Sequence, residues 1–237
     1  QAASFIADWR PDAVAHLAAQ VSVRDSVADP VQDARTNVLG SIALFEACRK
    51  AGTSRIVFAS TGGAMYGLAT RLPTPETEAP TPLSPYGCAK LAVEGYLGYF
   101  ARVHRMKACA LRFANVYGPR QSPHGEAGVV AIFAARYLRK EAPTIYGDGS
   151  QTRDYVHVSD VARAMVGAIA AGLEGVFNVG TGVETSTLRI SEHVRSAALP
   201  CEPARHGPER AGDALRSSLD SSALTRLVSS WPAGRLK

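Results

Sequence analysis

The chain has 237 residues, 26 basic and 21 acidic side chains, a formal charge of +5 and an apolar fraction of 46%. This is one large domain or a domain with a lobe, and its apolar content excludes global disorder. The basic residues are dispersed, so the excess reads as a solvated basic surface that also suits a small anionic substrate, not as a nucleic-acid footprint. Cys48, Cys88, Cys109 and Cys201 form no CxxC pair and no Cys/His cluster. That argues against zinc and dithiol chemistry and suits reduced thiols in the cytosol. No apolar run reaches the ~18 residues of a membrane span, and no signal peptide is visible. Gln1 opens a stretch that already reads as part of a fold, so a preceding segment is expected.

In chain order, the turn signal Arg10-Pro11-Asp12 precedes a short buried strand at 13–18. Asp29 as cap and Pro30 at the first position open a helix, to which Val31, Ala34, Val38, Ile42 and Phe45 give an apolar stripe, and Gly52 ends it. Residues 55–59 form a second strand. Residues 60–84, rich in Gly, Pro, Ser and Thr, form a long loop, and loops of this length are commonly functional. A helix runs from Pro85 or Tyr86 to about His104, and 108–113 form a third strand. Beyond it the pattern predicts a helix at 127–140, an extended segment at 143–146, a helix capped by Ser159, a strand at 176–179, and helical stretches near 187–198 and 221–228. Alternating strands and helices predict a parallel sheet covered on both faces.

The sharpest local feature is Tyr86-Gly87-Cys88-Ala89-Lys90 at a helix start. Tyrosine and lysine four apart share a helix face. An ammonium beside a phenol lowers the phenol's pKa, so the pair can make a general base. Ser60 and Thr61 end a strand at the carboxyl edge of the sheet, where ligands of open α/β folds bind. Their plainer reading is loop capping.

VFASTGGAMYG, SPYGCAK, RFANVYGPRQ and YGDGSQTRDYVHVSDVA, in that order, resemble the extended short-chain dehydrogenase/reductase family. Within it they are most similar to nucleotide-sugar epimerases of the UDP-glucose 4-epimerase type, and HLAAQ at 16–20 and NVLGS at 37–41 fit the same pattern. The resemblance runs from about residue 12 to about 220. It implies a doubly wound Rossmann-like sheet with a smaller carboxyl-terminal substrate lobe. Residues 1–120 would be a partial NAD-binding domain. Residues 121–237 would be mainly the lobe, with segments returning to the first domain.

The resemblance also implies roles. Tyr86 would take the C4 hydroxyl proton of a UDP-sugar while the C4 hydride passes to NAD, through a 4-keto sugar. Lys90 would bind the nicotinamide ribose and depress the Tyr86 pKa. Thr61 would hydrogen-bond the reacting oxygen, with Ser60 as the fallback for that role. Leu17, Ala18, Ala19, Gln20, Asn37, Ser60, Phe113 and Ala114 would lie along the cofactor. Asn115, Arg153 and Arg210 would hold the substrate diphosphate, Thr144, Ile145 and Tyr146 the uracil edge, and Asp213 the ribose. No metal is implied, nor any nucleic-acid or membrane partner. A homodimer through helices at 29–51 and 86–104 is implied, with Tyr96, Tyr99 and Phe100 either helix packing or part of that interface. The plainer readings are an Arg153–Asp154 ion pair, a turn cap for Asn115 and a satisfied core histidine for His16.

Three contrasts refine this. Dehydratases of the family carry an Asp-Glu pair directly after the hydroxyl residue, where this chain has Gly62-Gly63. That favours epimerisation over elimination. The family's glycine-rich strand–turn–helix is absent, on the order of 60 residues for two βα units, so the chain reads as an abridged enzyme or a fragment. The 187–206 segment is short for the lobe, and the family normally continues beyond Lys237. Rival readings are epimerisation of UDP-N-acetylhexosamine or UDP-glucuronate, dehydration or reduction of a nucleotide sugar, and a non-catalytic nucleotide-sugar-binding fold.

Overall fold

The computed structural model describes residues 2–124, 128–198, 201–209 and 215–228. In chain order the elements are α1 (Ala2–Trp9), β1 (Ala13–His16), α2 (Val23–Ala28), α3 (Pro30–Ala34), a π-helical turn (Arg35–Leu39), α4 (Gly40–Ala51), β2 (Arg55–Thr61) and α5 (Pro85–His104). They continue with β3 (Lys107–Phe113), β4 (Asn115–Tyr117), α6 (Val129–Leu138), β5 (Thr144–Tyr146), β6 (Thr152–His157) and α7 (Val158–Ala171). The last are β7 (Gly175–Val179), β8 (Glu184–Ser186), α8 (Thr187–Ala197), β9 (Arg205–Gly207) and α9 (Ser222–Leu227).

The main sheet is parallel throughout, in the order β1-β2-β3-β7. Parallel pairing demands crossovers, and these place helices on both faces. Because side chains alternate along a strand, β2 and β3 feed two cores. Ile56, Phe58, Ala108 and Ala110 pack with Phe45 and Cys48 of α4 and with Val93, Leu97 and Phe100 of α5. Val57, Cys109 and Leu111 pack with Val161, Ala164, Met165 and Ala168 of α7 and with Leu224 of α9. The expected doubly wound architecture is therefore present. A separate apolar cluster joins Phe133 and Tyr137 of α6, Ile145 of β5 and Ile190 of α8.

Asp29 caps α3 through its side chain, with Pro30 behind it, and Gly52 ends α4 in the left-handed region at φ 81°. The apolar stripe predicted between them is only partly the buried face: Phe45 is buried and Val38 packs on the same core, while Val31 and Ala34 at its amino-terminal end are exposed. Val31 is 62% exposed, while Asp33, Asn37, Ser41, Phe45 and Cys48 are buried. The π turn is the reason. In an unbroken α-helix Asp33 and Phe45 would stand about 120° apart around the axis, and one extra residue in the turn cuts that to about 20°. The polar Asp33, Asn37 and Ser41 thereby come to the side of the core.

Two further expectations differ in detail. His157, not Ser159, caps α7, its ring accepting the Ser159 N–H and its Nδ1 lying 2.7 Å from Ser159 Oγ. The 13–18 strand ends at His16. Six helices and strands were not expected at all: α1, α2, β4, β6, β8 and β9. All four cysteines are free thiols, Cys48 and Cys109 buried and Cys88 exposed. Among the described residues no helix is long and apolar enough to cross a membrane, and no acidic, His or Cys group could hold a metal ion.

Candidate active site

Parallel strands bring their carboxyl ends to one edge. Thr61 pairs in register with Phe113, and Phe113 with Val179. The chain then turns at Gly62-Gly63. The Gly62 N–H donates to the Phe113 carbonyl (2.8 Å), and the Ala64 N–H donates to Thr61 Oγ1 (3.2 Å). A Cβ at Gly62 would run into the Leu219 side chain, so that position admits no side chain without repacking. A Cβ at Gly63 would lie 3.7 Å from Asn115 Oδ1. The turn therefore faces Asn115, which is exposed at the start of β4.

Helix α5 docks its first turn on this turn. Ser84 caps it through the Gly87 N–H, and Pro85 fixes the first position. A Cβ at Gly87 would fall 2.5 Å from the Ala64 carbonyl oxygen, so glycine permits the close approach. Tyr86 is thereby held at the carboxyl edge beside the Thr61 turn, its own N–H donating to Ser26 Oγ (3.2 Å). One turn on, Lys90 is 4% exposed. Its Nζ donates to the Ala59 carbonyl (2.8 Å) and sits 4.7 Å from the Phe58 ring centroid and 5.7 Å from that of Tyr86.

Burial sets the proton states here. It pushes Lys90 down to about 8, against the opposing pull of Asp33 and Glu94. It pushes Tyr86 up to about 12, and the Asp33 carboxylate adds to that rise. The expected depression of the Tyr86 pKa by Lys90 is therefore not present in this structure. The ammonium is directed at Ala59, and desolvation of the phenol dominates.

Two hydrogen-bonded networks flank Lys90. On the β3 side, Glu94 and Arg112 form a buried two-pronged ion pair, with Nη2 2.7 Å from Oε2 and Nε 3.0 Å from Oε1. The Ser60 hydroxyl donates to Glu94 Oε1 (2.6 Å), so Ser60 is spent inside the protein and Thr61 is left as the candidate hydroxyl. Arg112 Nη1 donates to the Tyr66 hydroxyl (2.8 Å), which donates to Asn178 Oδ1 (2.9 Å).

On the β1 side, Asp33 Oδ1 accepts from the amides of Gln20 and Asn37, both at 2.9 Å. Asn37 closes a reciprocal pair with Gln20: the Gln20 N–H donates to Asn37 Oδ1 and Asn37 Nδ2 donates to the Gln20 carbonyl. This clamp fixes the segment after β1, where Leu17 is 54% exposed and Ala18 and Ala19 stand open or half-open. The Ser41 hydroxyl donates to the Asn37 carbonyl (2.5 Å), which leaves His16 Nε2 as donor to Ser41 Oγ (2.9 Å). Burial holds His16 down at about 4, so it is the neutral core histidine expected.

The other expected residues divide. Phe113 is half-buried and Ala114 buried at the end of β3. Ile145 is 1% exposed inside the lobe's apolar core, so its side chain faces away from any ligand, while Thr144 and Tyr146 are exposed. The Arg153–Asp154 pair does not form. Asp154 accepts from Thr181 N and Oγ1, Gly182 N and Leu219 N, and Arg153 donates to the Thr152 carbonyl. Arg210 and Asp213 lie outside the described residues.

Sequence reasoning missed Asp33, Glu94, Arg112 and Tyr66. Glu94 carried a signal, four residues past Lys90 on one helix face, and so did Arg112, a cation inside an apolar strand.

Lys90 has three donors and makes one hydrogen bond, so its remaining N–H groups suit ribose hydroxyls. With the open apolar segment 17–19 this fits the nicotinamide-ribose half of NAD. A glycine-rich turn for the cofactor diphosphate is not in this sequence.

Comparison with known proteins gives the same direction. The model of the NAD dependent epimerase/dehydratase family matches residues 1–180. A UDP-glucose 4-epimerase of Mycolicibacterium smegmatis is 47% identical over 229 residues, covering 96% of this chain and 72% of that protein. The crystal structure of a Thermotoga maritima UDP-glucose 4-epimerase with UDP-glucose superposes with a TM-score of 0.93 at 45% identity, covering 99% of this chain and 76% of that one. The Thermus thermophilus UDP-glucose 4-epimerase, a complex with NAD, gives 0.90 at 43% identity, covering all of this chain and 77% of that one.

Proposed function

Because this chain belongs to the NAD dependent epimerase/dehydratase family, we infer that it is an NAD-dependent epimerase that inverts C4 of a UDP-sugar of the glucose/galactose type. The observation that carries this reading is the Tyr86–Lys90 pair docked through Gly87 on the Thr61–Gly62–Gly63 turn, with no carboxylate in that turn. NAD, when bound, takes the C4 hydride and returns it to the other face of the sugar. The Tyr86 phenolate takes the C4 hydroxyl proton and gives it back. Thr61 donates a hydrogen bond to the reacting oxygen. Lys90 spends its two free N–H groups on ribose hydroxyls, and its charge stabilises the phenolate as substrate and cofactor close the site.

Elimination of water from the sugar needs an acid next to the reacting carbons. Gly62 and Gly63 supply none. Arg153, free of Asp154, and Asn115 hold the diphosphate, a fitting use of a planar, permanently charged guanidinium. Tyr146 and Thr144 flank the uracil; Ile145 contributes backbone only.

The same reading divides the chain into a cofactor-binding part at 1–120 and a substrate lobe from 121, with α7, β7 and α9 returning to the first part. The lobe's separate apolar cluster supports that division. A dimer through helices 29–51 and 86–104 is supported by Tyr96 and Tyr99, each 44% exposed on α5, while Phe100 is buried packing. A cytoplasmic place is supported by the four free thiols.

The test is conversion of UDP-galactose to UDP-glucose by Tyr86→Phe. A loss at or above the ~10²–10⁴ typical of a general base is expected, with cofactor still retained. Near-parental turnover overturns the reading.

A further inference from the structure

Two buried carboxylates lie near Lys90, and they differ in what neutralises them. Glu94 is bound on both oxygens by Arg112, so its charge is largely compensated. Asp33 is 2% exposed and has no cation within ion-pair distance among the described residues. Its Oδ1 is held by two neutral amides, and its buried Oδ2 has no hydrogen-bond partner. A buried charge without a partner is costly: burial pushes the Asp33 carboxyl up, while the Gln20 and Asn37 amides and the charge of Lys90 hold it down. The buried cation that α5 carries is Lys90, bound to a single carbonyl. α3, which carries Asp33, packs against α5, which carries Tyr86 and Lys90.

Resting on the reading of Tyr86 as the base, we propose that Asp33 is a positioning residue whose charge, held in no ion pair, fixes the resting proton state of the Tyr86–Lys90 pair, holding the proton on both. It touches no reacting atom. The sign is the same for both partners. A carboxylate favours the ammonium over the amine and disfavours the phenolate against the phenol. The directions agree: Asp33 is the largest opposing influence on the fall of Lys90 and the named charge in the rise of Tyr86.

The other charged groups around the pair do not replace it. His16 of β1 is neutral above about 4, and Arg112 of β3 is paired with Glu94. The consequence is a site that loads its base only when a further positive charge arrives.

The test uses Asp33→Asn, which keeps an oxygen for both amide hydrogen bonds and removes only the charge. Asp33→Ser is the second charge-free variant should the first not fold. The Lys Cε resonances are followed by NMR as a function of pH, with Lys90→Arg used for assignment. The parent Lys90 should titrate near 8. Either variant should lower that midpoint by about one unit, and Asp33→Glu should restore it. Both limbs of the kcat–pH profile should move to lower pH. A Lys90 midpoint unchanged in the charge-free variants overturns the proposal. That readout needs no turnover, so it stays separate from failure of the Tyr86 mechanism, which Tyr86→Phe reports.

Discussion

The two flanks of Lys90 solve the same problem differently. On the β3 side every polar group is matched: Glu94 with Arg112 and Ser60, Arg112 with Tyr66, Tyr66 with Asn178. On the β1 side the partners are neutral amides, a hydroxyl and an imidazole, and one carboxylate oxygen is left bare. The matched side ties β2, α5 and β3 together and behaves as framework. The bare side keeps a field acting on the reacting groups. A buried ion pair is costly to break because the survivor is stranded. A charge held only by amides is cheap to remove.

This contrast can be broken or sharpened by stability measurements. The largest effect is expected from Arg112→Ala, which strands Glu94 and should cost about 3–5 kcal/mol in urea unfolding. A cost below about 1 kcal/mol would show that the β3 network is not framework. Next comes acid. The folded His16 pKa of about 4 lies below the ordinary 6.5. The unfolded chain therefore binds more protons below pH 6.5. His16 contributes stability present above 6.5 and lost as pH falls through 4, about 3 kcal/mol in all. His16→Gln should flatten the melting profile in that window, and an unchanged slope would remove His16 from the acid response. The smallest effect is expected from Asp33→Asn, within about 1 kcal/mol of the parent since both amide bonds survive. A loss as large as that of Arg112→Ala would make the two flanks alike.

The difference between the flanks also explains what could be read from the sequence. Strand and helix order, the long loop, the Asp29-Pro30 start, the Gly52 stop and the Tyr86–Lys90 face were legible, because they rest on local spacing and turn chemistry. The family blocks gave the remaining site residues as expectations. Three things were not legible. The π turn rotated the amino-terminal part of the predicted stripe (Val31, Ala34) away from the core, and no periodicity rule announces a π turn. Ile145 alternates inward between exposed Thr144 and Tyr146, which depends on strand pairing with β9. The pairing of Asp154 with backbone N–H groups from 181–182 and 219 joins residues far apart in sequence.

The π turn at Arg35–Leu39 has a consequence for inheritance. Point substitution leaves the number of residues between Asp33 and Phe45 unchanged, so it cannot rotate one against the other. Length can. The turn already holds one residue more than an α-helix needs, and losing it closes the ladder with both faces still in phase. Gaining one adds about 100° and carries Asp33 out to solvent. In this short stretch, losing one residue keeps the two faces in phase and gaining one does not, a one-way geometric constraint on changes of length.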